Sequence, residues 1–474
     1  MEKAHSRMTA LWSYTGLILF PILILLGIVM RANQGGVINL PPDRFYSILT
    51  LHGLGMAGTW FVLGMASCNY LLNRYASTSL VGNILAYILT VTGVISLVIA
   101  TLIGKFATGW YFLYPLPLYK AWENWATPLF LVSVAILGTG WLVWTVSMLI
   151  SILRKYPLSR ALAWHHLRGI KEPAVPPFIV ILTATLIGIF ICLLTGVTLL
   201  ALYFGEYFGW MKNDALLMKN LTFFFGHTLV NELLYLAVAV LYEIYPEHGH
   251  RPKFKTTWYV ALSWNVTFLV VLFAYFHHLY MDFVQPTGFL FIGQIASYVA
   301  PIPAAVVTIF SVLAYTFRNS MKWNLVSFLY FYGVLGWAIG GVAAVLDATI
   351  VNNFVLHNTL WVPAHFHTYN LLGQVFFNLA FISWFAEKVS GAPFRSGLSK
   401  GIFASLLLGG WGFVIMFYLS GSFSIPRRFN LYPQELLLGS TLAKVATVFA
   451  LLYLLGMILF LYGASKRCVR AFSR

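Results

Sequence analysis

Long apolar stretches, separated by short polar connections, fill almost all of the 474-residue chain. A helix of roughly 20 apolar residues crosses the ~30 Å hydrocarbon core of a bilayer and satisfies its own backbone polar groups there. Each stretch therefore predicts one membrane-spanning helix. We predict twelve, numbered I to XII, at about 10–31, 46–72, 82–104, 127–153, 176–204, 220–245, 257–281, 291–317, 323–349, 361–386, 400–421 and 440–464.

The predicted helices leave no room for a soluble domain, so we expect an all-α integral membrane protein with one transmembrane domain over residues 1–474. Composition agrees with this pattern, because 60% of the residues are hydrophobic and only 9% are charged. Helix I follows a short basic start and lacks a small-residue cleavage site. We therefore interpret it as a retained span and not as a signal peptide.

Lysine and arginine are concentrated in alternate connections between the predicted helices. The basic clusters are Lys3 and Arg7 at the start, Arg154, Lys155, Arg160, Arg168 and Lys171 after helix IV, Arg251, Lys253 and Lys255 after helix VI, and Lys466, Arg467, Arg470 and Arg474 at the end. Basic loops stay on the cytoplasmic side, so both termini are expected to be cytoplasmic. The net charge of +16 is thus a topology signal, and we expect no nucleic-acid partner.

Helix VI contains the segment FFFGHTLVNELLY, in which His227, Asn231 and Glu232 interrupt an apolar stretch. Burying such groups in hydrocarbon costs several kcal/mol apiece unless the fold satisfies them. A polar triplet at this depth therefore indicates a functional site.

Six histidines from four helices fall in the outer half of the membrane under this topology. They are His52 in helix II, His227 in helix VI, His277 and His278 at the end of helix VII, and His365 and His367 at the start of helix X. A single buried histidine is usually a satisfied core residue. Six at one depth indicate metal centres, because imidazole is a common ligand of haem iron and copper.

The spacing of the histidines divides them between different centres. In WVPAHFHTYN, His365 and His367 are about 200° apart around the helix, so one helix can serve two metal centres. His52 is free to pair with one of them on a six-coordinate haem, which leaves the other for a five-coordinate haem. No cysteine lies in a haem-attachment or zinc motif, so a covalent haem or thiolate copper centre must belong to another chain.

The adjacent pair His277 and His278 is about 100° apart, close enough for both rings to lean onto one ion. Together with His227 they supply three imidazoles and leave one position open. This donor set suits a catalytic copper better than a closed structural site.

These segments, in this order, resemble the catalytic subunit I of haem-copper respiratory enzymes over essentially the whole chain. The matching segments are LTLHG around His52, FGH ending at His227, HH at 277–278, LHNTLWVPAHFH at 356–367 and IPRR at 425–428. The combination of the last two segments is most similar to the B-type, or ba-type, branch.

The resemblance implies specific roles for the polar residues. His52 and His367 would be axial ligands of a low-spin haem, His365 the proximal ligand of a high-spin haem, and His227, His277 and His278 the ligands of the copper called CuB. Both haems are expected to be of b type. Arg427 and Arg428 would pair with haem propionates, and His357 would lie near the propionates or an adjacent ion, unless it is an ordinary loop histidine.

Helix VI also departs from the family pattern. B-type and A-type oxygen reductases carry a tyrosine four residues after the helix VI ligand, where this chain has Asn231. The C-type branch supplies its tyrosine six residues before the histidine pair, where this chain has Val271. Tyr275 lies nearby, three residues before His278, and is either a surrogate or a packed aromatic side chain.

The missing tyrosine favours nitric oxide over oxygen as the substrate. Splitting O2 in one step takes four electrons, of which the iron gives two, the copper one and the tyrosine one, whereas coupling two NO molecules takes only two. The c-type nitric oxide reductases place glutamates four and eight residues after the helix VI histidine, where this chain has Asn231 and Tyr235, so copper is favoured over non-haem iron. The pattern resembles the copper-containing nitric oxide reductases derived from B-type oxidases (the sNOR group).

Two acidic residues of the membrane segments have open roles. Glu232 lies about 140° from the His227 face of helix VI, where it could relay protons or bond to a neighbouring helix. Asp347, near the outer end of helix IX, is expected to be a structural or haem-edge acid.

Two alternative functions remain: an oxygen reductase with a displaced tyrosine, and a twelve-helix transporter. For the haem-copper interpretation we expect a bacterial inner-membrane protein surrounded by lipid. Its electron donor would be a cupredoxin-like or cytochrome c subunit II, and its substrate a small gas, NO or O2.

Overall fold

The computed structural model describes residues 2–170, 173–250, 253–282 and 284–473. Three basic residues of the predicted loops, Lys171, Arg251 and Arg474, lie outside this part of the chain. Within it, eleven helices are long and apolar enough to span a membrane. They are Glu2–Gln34, Pro42–Leu72, Leu80–Ile103, Ala126–Lys155, Pro177–Tyr207, Ala215–His248, Trp258–Leu279, Thr287–Phe317, Leu325–Asp347, Ser396–Ser422 and Gln434–Phe472.

Helix X supplies the twelfth predicted span. It continues without a break through an α-helix Trp361–His367, a π-helical segment Thr368–Gln374 and an α-helix Val375–Ser390. At 1.5 Å per residue this length is sufficient to cross the hydrocarbon core. The all-α fold with twelve spans is therefore confirmed, and the numbering I to XII is kept below.

Local sequence signals explain where several helices begin. Pro42 and Pro177 lie at the first positions of helices II and V, where a missing N–H costs nothing. Asp214 caps helix VI by accepting a hydrogen bond from a backbone N–H of its first turn. Asn324 and Ser327 form a reciprocal capping box at the start of helix IX.

Helices VII and VIII also depart from regular α-helical geometry. Helix VII is α-helical over Trp258–Ala274 and then tightens into a 3-10 turn, Tyr275–Leu279, which contains the histidine pair. Helix VIII consists of two pieces, Thr287–Val299 and Pro301–Phe317, because Pro301 cannot continue the hydrogen-bond ladder. The span predicted at 291–317 is present as Thr287–Phe317, with this break inside it.

Helices IX and X approach each other closely through two glycines. A Cβ atom on Gly340 would lie 2.6 Å from the backbone nitrogen of Tyr369, and one on Gly336 would lie 2.5 Å from the carbonyl oxygen of Leu372. Only a residue without a side chain allows this contact, so these glycines position the histidine-bearing part of helix X.

The outer connection before helix X pairs with the connection before helix XII. The Leu360 N–H donates to the Ile425 carbonyl at 2.9 Å, and the Arg427 N–H donates to the Asn358 carbonyl at 3.0 Å. Asn33, at the outer end of helix I, also donates to the backbone carbonyl of Asn430 at 2.8 Å. These bonds hold the IPRR segment against the outer ends of the helices that carry the histidines.

Candidate metal centre

Three histidines converge between helices VI and VII. The ligand nitrogens of His227, His277 and His278 lie within 4.8 Å of one another. The ring centroid of His227 is 4.9 Å from that of His277 and 5.2 Å from that of His278. The structure thus brings together the three residues that the sequence predicts as copper ligands, here called the histidine triad.

Hydrogen bonds indicate which nitrogen His277 offers to a metal. His277 Nδ1 lies 2.9 Å from Ser297 Oγ, whose own hydrogen is directed to the Gly293 carbonyl at 2.6 Å. His277 Nδ1 must therefore be the donor, which leaves Nε2 as a free lone pair. For His227 the buried Nδ1 has no partner among the described residues, while Nε2 lies 3.4 Å from the Asn231 amide nitrogen. The amide nitrogen is a donor only, so these contacts leave the ligating nitrogen of His227 unassigned.

His52 and His367 are both held with Nε2 free. His52 Nδ1 lies 2.7 Å from the Leu23 carbonyl, and His367 Nδ1 lies 2.7 Å from the Pro363 carbonyl. A carbonyl can only accept a hydrogen bond, so Nδ1 carries the proton in each ring and Nε2 carries the lone pair. The two rings therefore have the tautomer that an axial ligand needs.

His365 lies beside a buried carboxyl group on helix IX. Its Nε2 is 3.6 Å from Asp347 Oδ2, a distance too long for a hydrogen bond. Both His365 Nε2 and Asp347 Oδ1 are buried without a partner among the described residues. The expectation that Asp347 lies near the haem edge fits this contact, and the ring nitrogen of His365 is available to a metal.

Two arginines of the IPRR segment, the partly buried Arg427 and the more exposed Arg428, have no carboxylate within ion-pair distance among the described residues. Burial lowers the pKa of Arg427 to about 9, with a smaller contribution from the positive charge of Arg428. Arg427 Nε has no partner in the described part of the chain, and the Arg428 guanidinium lies over the Tyr111 ring at 4.4 Å. Guanidinium groups that lack a carboxylate partner suit an anionic ligand such as a propionate.

His357 lies in the outer connection, near the same arginines. Burial lowers its pKa to about 3, and Arg427 contributes in the same direction. The ring is therefore neutral near pH 7, as a ligand or an acceptor of hydrogen bonds would be. Its predicted role near the propionates or an adjacent ion stays a prediction.

Asn231 and Glu232 point in different directions from helix VI. The Asn231 amide lies against the triad, with Nδ2 donating to the His227 carbonyl at 2.8 Å. Glu232 instead faces helix V, where a Cβ atom on Gly188 would lie 2.1 Å from its Oε1. The glutamate is 1% exposed and is separated from the triad face, in agreement with the helical angle.

Tyr275, the candidate surrogate for the missing tyrosine, does not present its hydroxyl to the triad. Its hydroxyl donates to Asn220 Oδ1 at 3.4 Å. Its ring stacks on Phe276 at 4.2 Å and meets Phe224 edge to face at 5.4 Å. Of the two interpretations of Tyr275, the structure supports the packed aromatic side chain.

Sequence reasoning missed two residues of this region. The Tyr369 hydroxyl donates to Asn231 Oδ1 at 2.8 Å, and the signal for this residue in the sequence was its spacing of four residues from His365. Arg31 of helix I is 4% exposed, has its Nε and Nη2 unpartnered within the described ranges, and lies over the ring of Phe417. Phe417 in turn stacks on His367 at 5.1 Å. A charged residue inside an otherwise apolar span was the signal for Arg31.

Comparison with known proteins places these features in a family context. The family model described as cytochrome C and quinol oxidase polypeptide I matches residues 7–459. The ubiquinol oxidase subunit 1 of Acetobacter aceti is 25% identical over 474 residues, which cover 96% of this chain and 69% of the relative. The cytochrome c oxidase subunit 1 of Synechocystis sp. (strain ATCC 27184 / PCC 6803 / Kazusa) is 25% identical over 402 residues, covering 83% and 71%.

A solved structure supports the fold independently. The chain superposes on one chain of a heme-copper terminal oxidase dimer determined by cryo-EM with a TM-score of 0.78. The sequence identity is 18%, and the match covers 98% of this chain and 84% of the other. At this identity the likeness concerns the fold.

Proposed function

Because the chain belongs to the cytochrome c and quinol oxidase polypeptide I family, we propose that it is the catalytic subunit of a respiratory haem-copper enzyme that reduces nitric oxide to nitrous oxide. The family is that of the haem-copper oxidoreductases, so the chain is a multi-pass membrane oxidoreductase subunit. The transporter alternative receives no support from these comparisons. The choice of NO over O2 as the substrate rests on the residues of the candidate metal centre.

The observation that carries the NO assignment is the amide at position 231. Asn231 Nδ2 lies 3.4 Å from Nε2 of His227, where a phenol would be needed to donate a fourth electron beside the copper ligand. Coupling two NO molecules requires less: 2 NO + 2 e⁻ + 2 H⁺ → N2O + H2O. When bound, the haems and copper would supply these electrons and the coordination positions for the gas.

The residues fit the cofactors that the family implies. The triad would hold copper through His277 Nε2 and one nitrogen each of His227 and His278, because these neutral donors converge and the hydrogen bond of His277 Nδ1 leaves its Nε2 free. Ligands of the low-spin haem would be His52 and His367.

The remaining ligands fit the second haem. Its proximal ligand would be His365, whose Nε2 lacks a protein partner within the described ranges. Arg427 and Arg428 would bind the propionates, with His357 beside them. We propose b-type haems in both sites.

An apolar cavity beside helix VI fits a gaseous substrate. A cavity of about 580 Å³ between helices I to VI is lined by the lipid-exposed Ile22 and Val197, and also by Phe225, Gly226 and Val230. The last three are neighbours of the triad along helix VI. A small uncharged gas partitions readily into an apolar cavity of this kind, whereas an ion does not, because it would lose its hydration.

Protons would reach the site by a different route. We propose Glu232 as a relay, because its carboxyl group is buried between helices V and VI and Oε1 has no hydrogen-bond partner among the described residues. Electrons would come from a cupredoxin-like or cytochrome c subunit II, docked on the outer side of a bacterial inner membrane.

Reduction of O2 is the second candidate, and the contact between Tyr369 and Asn231 is the observation that favours it. This phenol is next to the position of the missing tyrosine. A phenol gives up an electron readily only when a base accepts its proton, and the partner here is an amide oxygen, which is a very weak base. We therefore rank NO above O2.

Turnover of the two gases by the same purified complex tests this ranking. With one artificial electron donor, N2O formation from NO and O2 consumption are measured in parallel, and His278→Ala provides the copper-independent background. We expect NO reduction to be at least about tenfold faster than O2 reduction. Rapid, copper-dependent O2 reduction with negligible N2O would move the function to an oxygen reductase.

A further inference from the structure

Tyr369 lies on the face of helix X that is directed at the triad. It follows His365 by four residues, and residues at this spacing share a face of a helix. It also lies at the second position of the π-helical segment Thr368–Gln374. Such segments are rare in proteins and are frequent at functional sites.

The Tyr369 hydroxyl fixes the orientation of the Asn231 amide. One end of the amide, Nδ2, donates to the His227 carbonyl at 2.8 Å, and the other end, Oδ1, accepts from Tyr369 at 2.8 Å. A flipped amide would place two acceptor oxygens 2.8 Å apart, so only one orientation satisfies both contacts. The same Nδ2 then lies 3.4 Å from the Nε2 edge of the His227 ring.

The backbone of Tyr369 is itself held by helix IX. A Cβ atom on Gly340 would lie 2.6 Å from the Tyr369 nitrogen and 2.8 Å from its Cα. This contact leaves the tyrosine little freedom to shift, so its hydroxyl is a rigid support for an amide that lies 138 positions away in the sequence.

We propose that Tyr369 is a positioning residue of the metal centre, which acts through the Asn231 amide to hold the ring of His227 in its ligating orientation. The proposal rests on copper bound at the triad, as in the proposed function, but it does not depend on which gas is reduced. Loss of the hydroxyl leaves Asn231 Oδ1 without its donor and lets the amide rotate. The His227 ring, which lies against the Asn231 amide, then becomes free to tilt.

The test compares Tyr369→Phe with Tyr453→Phe in the intact purified complex. Tyr453 is a buried tyrosine on helix XII whose hydroxyl donates to the Leu371 carbonyl, in the same π-helical segment, at 3.0 Å. It therefore controls for the loss of a buried phenol bond on helix X. The readouts are copper and haem content, and the infrared C–O stretch of carbon monoxide photolysed onto copper in the reduced protein.

We expect Tyr369→Phe to keep its copper and both haems, to shift or split the copper carbonyl band, and to lower kcat about tenfold with little change in KM. Tyr453→Phe should keep the wild-type band. In an Asn231→Ala background, Tyr369→Phe should add nothing to the band shift, because its effect passes through the amide.

Gly340→Ala gives a second route, since it displaces the Tyr369 backbone and keeps the hydroxyl. It should shift the same band. A wild-type band in Tyr369→Phe, or a further shift by Tyr369→Phe in the Asn231→Ala background, overturns the proposal. If Tyr369→Phe cannot be purified with its haems, a wild-type band in Gly340→Ala overturns it. Because the band is measured without turnover, its outcome is separate from the choice between NO and O2.

Discussion

Two clusters of polar groups lie at opposite ends of the same helices, and their hydrogen bonding differs sharply. At the cytoplasmic ends of helices II and VI, Arg74 contacts Glu243 at 2.7 Å and Glu247 at 3.0 Å, and Lys253 contacts Glu243 at 2.9 Å. Tyr75 donates to Glu243 as well. We call these charged residues, Arg74, Glu243, Glu247 and Lys253, the cytoplasmic ion cluster.

The outer cluster leaves its groups without protein partners. In the described part of the chain, His227 Nδ1, His365 Nε2 and Arg427 Nε are buried and make no hydrogen bond. Leaving one such group unsatisfied costs about 1–3 kcal/mol. A fold accepts this cost where a ligand completes the bonding, so we interpret the cytoplasmic ion cluster as structural and propose that the outer cluster belongs to a binding site.

The largest expected effect comes from removing one member of the triad. His227→Ala, His277→Ala or His278→Ala should abolish turnover and lower copper from one equivalent to none, while both haems remain. His250→Ala, in the exposed cytoplasmic connection after helix VI, is the matched control and should keep its copper. Elemental analysis checks this directly, and zinc or non-haem iron in place of copper would contradict the assignment.

The next effect concerns the low-spin haem. His52→Ala removes the ring that Leu23 holds with Nε2 free, so the low-spin haem spectrum should be lost and the high-spin spectrum kept. Turnover should fall by more than about a hundredfold, because electrons could no longer reach the site. Optical spectra of the reduced protein decide this. A single haem in the wild-type protein would remove the basis of the prediction.

A smaller effect is expected in the cytoplasmic ion cluster, where protein groups already satisfy one another. Glu243→Gln breaks the ion pairs with Arg74 and Lys253 and should destabilise the fold by roughly 1 kcal/mol, because both basic partners remain accessible to water. Haem spectra, copper content and turnover below the new unfolding temperature should stay at wild-type values. Loss of a haem in this variant would show that the two clusters are not independent.

The smallest effect is predicted for Glu232→Gln. The amide fits the same notch at Gly188, so the haem and copper contents should not change. Turnover should fall only a few-fold, because an amide cannot pass on a proton as a carboxylic acid does. Glu232→Asp, which keeps the acid on a shorter side chain, should recover part of the loss. Full turnover in Glu232→Gln would assign the residue to helix packing alone.

The number, position and orientation of the helices could be predicted from the sequence, because the bilayer imposes simple local rules. Length and apolarity located the spans, and basic loops oriented them. The 3-10 turn at His277 and the π-helical segment after His367 were not predicted, since each depends on how neighbouring helices pack. The break at Pro301 is a local effect of proline and was missed in the sequence. Tyr275 illustrates the limit, because its spacing from His278 suggested a role that its contacts with Asn220 and Phe224 do not support.

The sequence by itself determined which residues could serve as ligands, because histidine type, depth and helical angle are properties of single segments. His52, His227, His277, His278, His365 and His367 were all identified in this way. Only the tertiary structure decided which nitrogen the rings of His52, His277 and His367 offer and which phenol supports Asn231. Those choices depend on hydrogen bonds between segments far apart in the chain, such as Tyr369 to Asn231, and side-chain periodicity within one helix carries no information about partners on another.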